Sequence, residues 1–301
     1  MSSSARRRET IAECLSDLQS DSVDSQLKAL QTLASITKVS PNNRNLIAQT
    51  DGAISTLLTL SKSPAPMIQP LSLSILFNLS LNPDLKPLMT EMETIHHLNS
   101  LILHTTTSPE STRLACSLIC SLAILDKNKA KFGVAGTIQV LVKSISGPRT
   151  PTTHHLLSCL AELVQFHGNC TLAVRSGAVN LLVEIVESSA DYGEDLAGMS
   201  LGILSLLARF EEGLNALIGS DEVVRFLVDV LQGRCMLSKE GAVEILVRVF
   251  DEDEEHLRDA SELPEMVSLL ADLSVRGSSK AREKAGLLMK KMMEANFAPL
   301  L

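Results

Sequence analysis

Tryptophan is absent from the 301 residues, tyrosine occurs once and phenylalanine seven times, so aromatics make up only 3% of the chain. Surfaces that bind single-stranded nucleic acid stack bases on aromatic rings, and this composition supplies too few. Basic charge is also short: 27 Lys and Arg face 35 Asp and Glu, for a net charge of −8. A phosphate backbone demands the opposite balance, so nucleic acid is not an expected partner. No stretch offers the roughly 20 consecutive apolar residues of a membrane span. The first residues carry Arg6-Arg7-Arg8 without the apolar run of a secretion signal. The protein is therefore expected to be soluble and to work in the cytoplasm, the nucleus or both. The glycosylation patterns Asn78-Leu79-Ser80 and Asn169-Cys170-Thr171 are idle without secretion.

Chemical motifs are equally scarce. Six cysteines (Cys14, Cys116, Cys120, Cys159, Cys170 and Cys235) are scattered through the chain with no CxxC pair. Cys116 and Cys120 stand four apart, yet no nearby His or Cys completes a zinc set at familiar spacing. They read as buried free thiols of a reducing compartment. There is no P-loop and no Rossmann glycine pattern, and no cofactor or metal is expected. Gly198-Met199-Ser200-Leu201-Gly202 matches a nucleophile elbow, but that motif needs a strand before a sharp turn. Here it lies in a helical run from Leu196 to Phe210, where the glycines are expected to let helices approach. His96-His97 and His154-His155 are adjacent pairs, and neighbours on a helix point apart, so neither chelates alone. The chain is expected not to be an enzyme.

What the sequence does contain is a repeat. Ile54-Ser55-Thr56-Leu57-Leu58 aligns with phrases led by Ile95, Ile138, Val179, Val224 and Leu263, at steps of 41, 43, 41, 45 and 39 residues. A second phrase follows in the first five copies: Leu76-Phe77-Asn78-Leu79, Ile119-Cys120-Ser121-Leu122, Leu160-Ala161-Glu162-Leu163, Leu204-Ser205-Leu206-Leu207 and Leu246-Val247-Arg248-Val249. A half unit contributes Leu30-Gln31-Thr32-Leu33. Within the unit from Asn128 to Phe166, apolar residues at 138, 141, 142 and 145 share one helix face. Gly147-Pro148-Arg149-Thr150-Pro151 then turns the chain, and Thr153 is placed to cap the next helix. Each unit thus reads as a short helix followed by two longer ones. A helical period of this length is the signature of armadillo and HEAT solenoids. The expected fold is all-α, a right-handed armadillo-repeat superhelix whose concave surface binds other molecules.

The second phrase also suggests which residues line that surface. Its outer positions are apolar in every copy, as a core requires, while the position before the last varies: Thr32, Asn78, Ser121, Glu162, Leu206 and Arg248. Residues four earlier share the face, which adds Lys28, Ser74, Ser117, Ser158 and Glu244. One further turn back come Arg113, His154 and Glu240. These fourteen residues are the candidate partner-binding groove, expected to be exposed.

Charge is unevenly spread. Residues 1–150 hold 14 Lys and Arg against 11 Asp and Glu, a net +3, while residues 151–301 hold 13 against 24, a net −11. The acidic half suits a basic protein segment by electrostatic complementarity. The run Asp251-Glu252-Asp253-Glu254-Glu255 reads as a solvated loop, with a docking patch for a basic peptide as the alternative. Glu187 to Asp195, with Tyr192, reads as a long acidic connection.

Several segments carry a family resemblance. Residues 33–48, Leu33-Ala34-Ser35-Ile36-Thr37 through Asn45-Leu46-Ile47-Ala48, followed by Gly52-Ala53-Ile54, resemble the first armadillo repeats of plant U-box proteins. Ile75-Leu76-Phe77-Asn78-Leu79-Ser80 and Ser176-Gly177-Ala178-Val179 fit the same pattern, and Ser279-Lys280-Ala281-Arg282-Glu283-Lys284-Ala285 resembles that family's basic closing helix. The resemblance implies a partner-recruiting armadillo region. The ligases of the family carry a U-box ahead of the repeats, and the residues before the first repeat here are expected to hold none. The implied role is a non-catalytic scaffold binding an extended peptide or helix, with a substrate-recruiting adaptor or pseudo-ligase in ubiquitination as the alternative. Import adaptors line their groove with a Trp and an Asn per repeat; with no Trp and only Asn78 at that position, an import role is disfavoured.

The expected organisation is a flexible tail over residues 1–9, about six repeats over 10–293 with boundaries near 41, 83, 127, 168, 211 and 254, and a tail over 294–301. The closing helix is expected to bury Leu287, Leu288 and Met292 and to expose Lys280, Lys284 and Lys291.

Overall fold

The computed structural model describes residues 3–104, 106–188, 194–220 and 222–297. Among the described residues every regular element is a helix. After Ser3–Asp17 and Val23–Val39, new triplets open at Pro41, Pro83, Asp126, His167, Glu211 and Glu254. Each has a short helix, a second helix and a longer third one, for example Asp126–Val134, Thr137–Ile145 and Thr153–Leu163. The segment opening at Pro83 is a 3-10 turn, Pro83–Met89, with Pro87 inside it; proline cannot donate into an α-helical ladder.

Local chemistry explains where the helices begin. Ser22, Ser40 and Ser108 accept backbone N–H bonds from the residues three positions on, satisfying donors that an α-helix leaves free. Pro41, Pro109 and Pro264 occupy first turns, where the missing N–H costs nothing. Gly52, Gly136 and Gly177 hold φ of 77°, 77° and 82° just before a second helix. That left-handed turn recurs in three repeats and suits only glycine.

The chain forms two compact units, one of Met1–Ser144 with Thr150–Glu162, the other of Ile145–Arg149 with Leu163–Leu301. In both, the core is the column the sequence marks as apolar: Leu33, Leu79, Leu122, Leu163, Leu207 and Val249 have no exposed surface. A buried asparagine ties each of three short helices to the helix before it. Asn43, Asn128 and Asn169 donate from Nδ2 to the carbonyls of Ile36, Leu122 and Leu163 at 2.9, 2.8 and 3.0 Å.

Several expectations are corrected. Residues 3–9, expected as a tail, belong to the first helix, and Arg7 donates to Asn43 Oδ1 at 3.2 Å. The closing helix runs Ser279–Phe297, past residue 293. Thr153 is buried and takes the Thr150 N–H on its own hydroxyl. The acidic run is no loop: Met236–Glu252 continues into it, and Asp253 caps Glu254–Glu262 by accepting from the Glu255 N–H at 2.8 Å. Carboxylates are favoured at a helix N-terminus. In the closing helix Leu288 and Met292 are buried, but Leu287 is exposed, because consecutive helical residues point about 100° apart. Lys280 is exposed, whereas Lys284 and Lys291 are only about a quarter exposed and pair with Glu244 and Asp251. Tyr192 and most of its connection lie outside the described residues.

Candidate partner-binding site

The fourteen candidate residues divide by environment. Lys28, His154 and Ser158 are exposed; Thr32, Ser74, Arg113, Ser117, Glu162, Leu206, Glu240, Glu244 and Arg248 are half-buried; Asn78 and Ser121 are buried. The expectation that the varying position faces solvent therefore fails at Asn78 and Ser121. The cause is visible in their bonds. Asn78 Nδ2 donates to Thr37 Oγ1 at 3.0 Å, and Ser80 donates to Ser121 Oγ at 2.7 Å while Ser121 donates back to the Ser80 carbonyl at 3.2 Å. At these positions the third helices of neighbouring repeats meet, and polar side chains satisfy one another across the seam as buried polar groups must.

Other candidates are held by charge. Arg113 is clamped by Glu110 at 2.5 Å, and that hydrogen bond, against the opposition of burial, holds the guanidinium above its ordinary pKa. Glu162 lies 3.1 Å from Lys129, which also reaches Asp126 at 3.1 Å. Burial opposes the Lys129 charge, but the bonds to Asp126 and Glu162 outweigh it and raise its pKa. In the second unit Glu244 is met by Lys284 at 3.4 Å, Arg248 at 3.5 Å and Lys280 at 3.9 Å. Burial pushes that carboxyl up, yet the two lysines and then Arg248 hold it below its ordinary value. Glu240 accepts from the Ser278 hydroxyl. The protein's own closing helix engages Glu244, and the residue just before it, Ser278, engages Glu240.

In the first unit, Ser117, Ser121, Ser158 and Glu162 come together around an open cavity of about 400 Å³. Phe77, Leu81, Cys116, Cys120, Ile124 and His155 complete its wall. Sequence reasoning missed Phe77, Leu81 and Ile124, although Leu81 and Ile124 are 48% and 65% exposed. Leu81 follows the end of its third helix and Ile124 stands at the end of the next, positions that a search within the helical phrase does not reach. His155, not His154, faces the cavity; the two rings lie 3.8 Å apart, and burial, then His154, lowers the His155 pKa. In the second unit, adjoining cavities of about 350 and 410 Å³ share Glu187, Phe226 and Asp229, and no candidate residue lines them.

Ser200 has no elbow geometry. Helix Glu194–Leu207 runs unbroken through it, and its hydroxyl is buried. A Cβ on Gly198 would meet Leu237 Cδ2 at 3.0 Å, so that glycine serves close helix packing.

Residues 9–298 match the family described as the plant U-box protein ARM repeat region. The chain belongs to this family. It is 26% identical over 257 residues to U-box domain-containing protein 8 of Arabidopsis thaliana, covering 80% of this chain and 68% of that protein. It is 34% identical over 125 residues to U-box domain-containing protein 1 of Medicago truncatula, covering 39% of this chain and only 17% of that protein. Among solved structures, an engineered protein superposes with a TM-score of 0.79 at 19% identity, over 94% of this chain and 68% of the other. A designed armadillo repeat protein in complex with the peptide (KR)4 gives a TM-score of 0.69 at 16% identity, over 79% of this chain and 98% of the other. The fold is the armadillo fold, and no single helix among the described residues is long and apolar enough to cross a membrane.

Proposed function

We propose that the chain is a non-catalytic protein-interaction scaffold. Its cavity walled by Phe77, Leu81 and Ile124 receives an apolar side chain from a partner segment, extended or helical. The observation that carries the reading is the cavity itself: large apolar side chains stand half-exposed around a concavity with polar groups at its edge, the usual form of a binding site. Peptide binding by designed members of the same fold supports it. A basic partner, suggested by the acidic second half, has less to bind there than the sequence implied, because Glu240 and Glu244 are engaged by Ser278, Lys280 and Lys284. The test is affinity capture with the wild-type chain and the double variant Leu81→Asp, Ile124→Asp. Both side chains are exposed, so folding should survive, as circular dichroism would verify. Direct partners should be lost from the variant. Recovery of the same partners in the same amounts would refute the cavity's role.

A second reading rests on relatives named as U-box proteins: a substrate-recruiting adaptor or pseudo-ligase in ubiquitination. A purified reaction with activating and conjugating enzymes discriminates. The scaffold reading expects no ubiquitin chains without an added ligase, and their formation would overturn it. Either role has the protein act in the cytoplasm, the nucleus or both, which a fluorescent fusion tests.

A further inference from the structure

We propose that the seam between helices Ala178–Glu187 and Val223–Gln232 docks an extended basic segment of a partner protein, which seats two of its Lys or Arg side chains there, one on either side of Phe226. The site lies in the second unit and is built on the second helices of two repeats, so it is separate from the cavity at Phe77, Leu81 and Ile124. The two cavities of the second unit, about 350 and 410 Å³, adjoin along this seam and share Glu187, Phe226 and Asp229. Five carboxylates line them: Glu184, Glu187, Glu194, Glu222 and Asp229. All five are exposed, and among the described residues none of them enters an ion pair. Arg225 and Arg234 also line the cavities and are likewise unpaired among the described residues, so five acids against two bases leave an excess of three negative charges. Glu244, in the same unit, is met from within by Lys280 and Lys284; these five acids are not.

A buried polar group points to the same ligand. Ser238 is 7% exposed, lines the 350 Å³ cavity and makes no side-chain hydrogen bond among the described residues. Buried hydroxyls are normally bonded, and a cationic side chain entering beside Glu187, Glu194 and Asp229 brings the missing N–H donor. Its remaining donors meet the carboxylates in charge-assisted bonds, which are short and strong. Phe226, half-buried, stands where the cavities join, and an aromatic ring attracts a cation to its face. Val179, Leu217 and Val223 form a buried apolar floor under the larger cavity, against which the methylene stems of Lys or Arg pack while their charged ends stay at the acidic rim. In an extended segment, residues two apart face the same way, so alternate side chains reach adjoining cavities. The corresponding seam in the first unit is closed. Between Ala53–Leu60 and Met92–Leu103, Lys62 meets Glu93 at 2.6 Å, His97 Nε2 lies 3.1 Å from Ser61 Oγ, and the cavity is only about 180 Å³. There the protein supplies its own cation; at the acidic seam a partner does.

The test titrates the full chain, by fluorescence anisotropy, into two labelled peptides of equal length, one alternating Arg and Ser, the other Glu and Ser. The Arg peptide should bind saturably and more weakly at high salt, and the Glu peptide should not bind. Glu187→Gln with Asp229→Asn should weaken binding about tenfold. Phe226→Leu, which keeps bulk and loses the ring, should weaken it about threefold. Ser238→Ala should cost roughly fivefold in affinity with no loss of stability, since the hydroxyl has no partner in the free protein. Glu252→Gln with Glu255→Gln changes the net charge equally on the other acidic run and should leave affinity within about twofold. All four of these acids are exposed, so folding should survive. In the wild-type chain, bound Arg peptide should raise hydrogen-exchange protection in Ala178–Glu187 and Val223–Gln232, a measurement that decides the matter even where a variant folds poorly. Equal losses from the two double variants would overturn the proposal, leaving only general attraction to an acidic protein. So would preference for the Glu peptide, protection confined to other helices, or no saturable binding.

Discussion

The ammonium nitrogen of Lys129 lies 3.1 Å from a carboxylate oxygen of Glu162, and the Lys129 side chain is only 6% exposed. The lysine comes from the first helix of a repeat and the glutamate from its third, so the pair ties the unit across its own width. Removing one partner of a buried ion pair leaves the other uncompensated.

Glu162→Lys sets a second cation against Lys129. The half-buried glutamate softens the effect through solvent screening, and Asp126 remains as a partner, so the expected loss is about 2 kcal/mol. Sequence phase alone would put the change below about 0.5 kcal/mol, the usual cost at an exposed position. Urea denaturation separates the two, and the Glu162→Gln midpoint should fall between wild type and Glu162→Lys.

Leu163 has no exposed surface and Leu287 is 39% exposed. Leu163→Asp buries a carboxylate among apolar neighbours and should cost on the order of 4 kcal/mol. Leu287→Asp should stay within about 0.5 kcal/mol. Similar melting losses from the two would show that the inward face of the closing helix has been misassigned.

His97 supplies a pH dependence. Burial disfavours its imidazolium and holds the pKa below the ordinary 6.5; the Ser61 carbonyl opposes this, Lys62 adds to it and Glu93 resists it. As pH falls below about 6.5 the unfolded chain takes up the proton before the folded one does, so stability falls with pH in that window. The contribution is fully present above pH 6.5. His97→Gln should be less sensitive between pH 7.5 and 5.5 than wild type, measured as the shift in urea midpoint. Parallel pH profiles for the two chains would remove His97 from the account.

Ending the chain after Ser278 removes the helix that packs on Met236–Glu252 and Pro264–Arg276 and whose Lys280 and Lys284 pair with Glu244. Repeat arrays couple chiefly between neighbours. Hydrogen-exchange protection should therefore drop across Met236–Glu252 and Pro264–Arg276 and hold in Val23–Val39. A uniform drop along the chain would contradict this.

The fold was legible because its two determinants are periodic. A leucine or valine column that never admits a polar residue has only one physical meaning, and Leu79, Leu122, Leu163, Leu207 and Val249 occupy it. The site was legible only in part. The letters Asn78 and Ser121 do not say whether water or a neighbouring repeat supplies their hydrogen bonds, and here Thr37 and Ser80 do. Glu240 and Glu244 looked like invitations to a basic ligand because their partners, Ser278, Lys280 and Lys284, lie about 40 residues further along the chain.

The buried asparagines bear on how the protein can be cut. Asn43, Asn128 and Asn169 each reach back to a carbonyl of the preceding third helix or its equivalent, so the first short helix of a repeat is fastened to its predecessor. Scissors placed at the period's own seams, near 41, 127 and 168, sever that fastening and leave a carbonyl wet on one fragment and an amide stranded on the other. Severing at Gly52, Gly136 or Gly177 instead leaves each short helix with the body that holds it. Stable sub-fragments, insertion points for reporter tags and permuted termini should therefore be sought at those glycine turns.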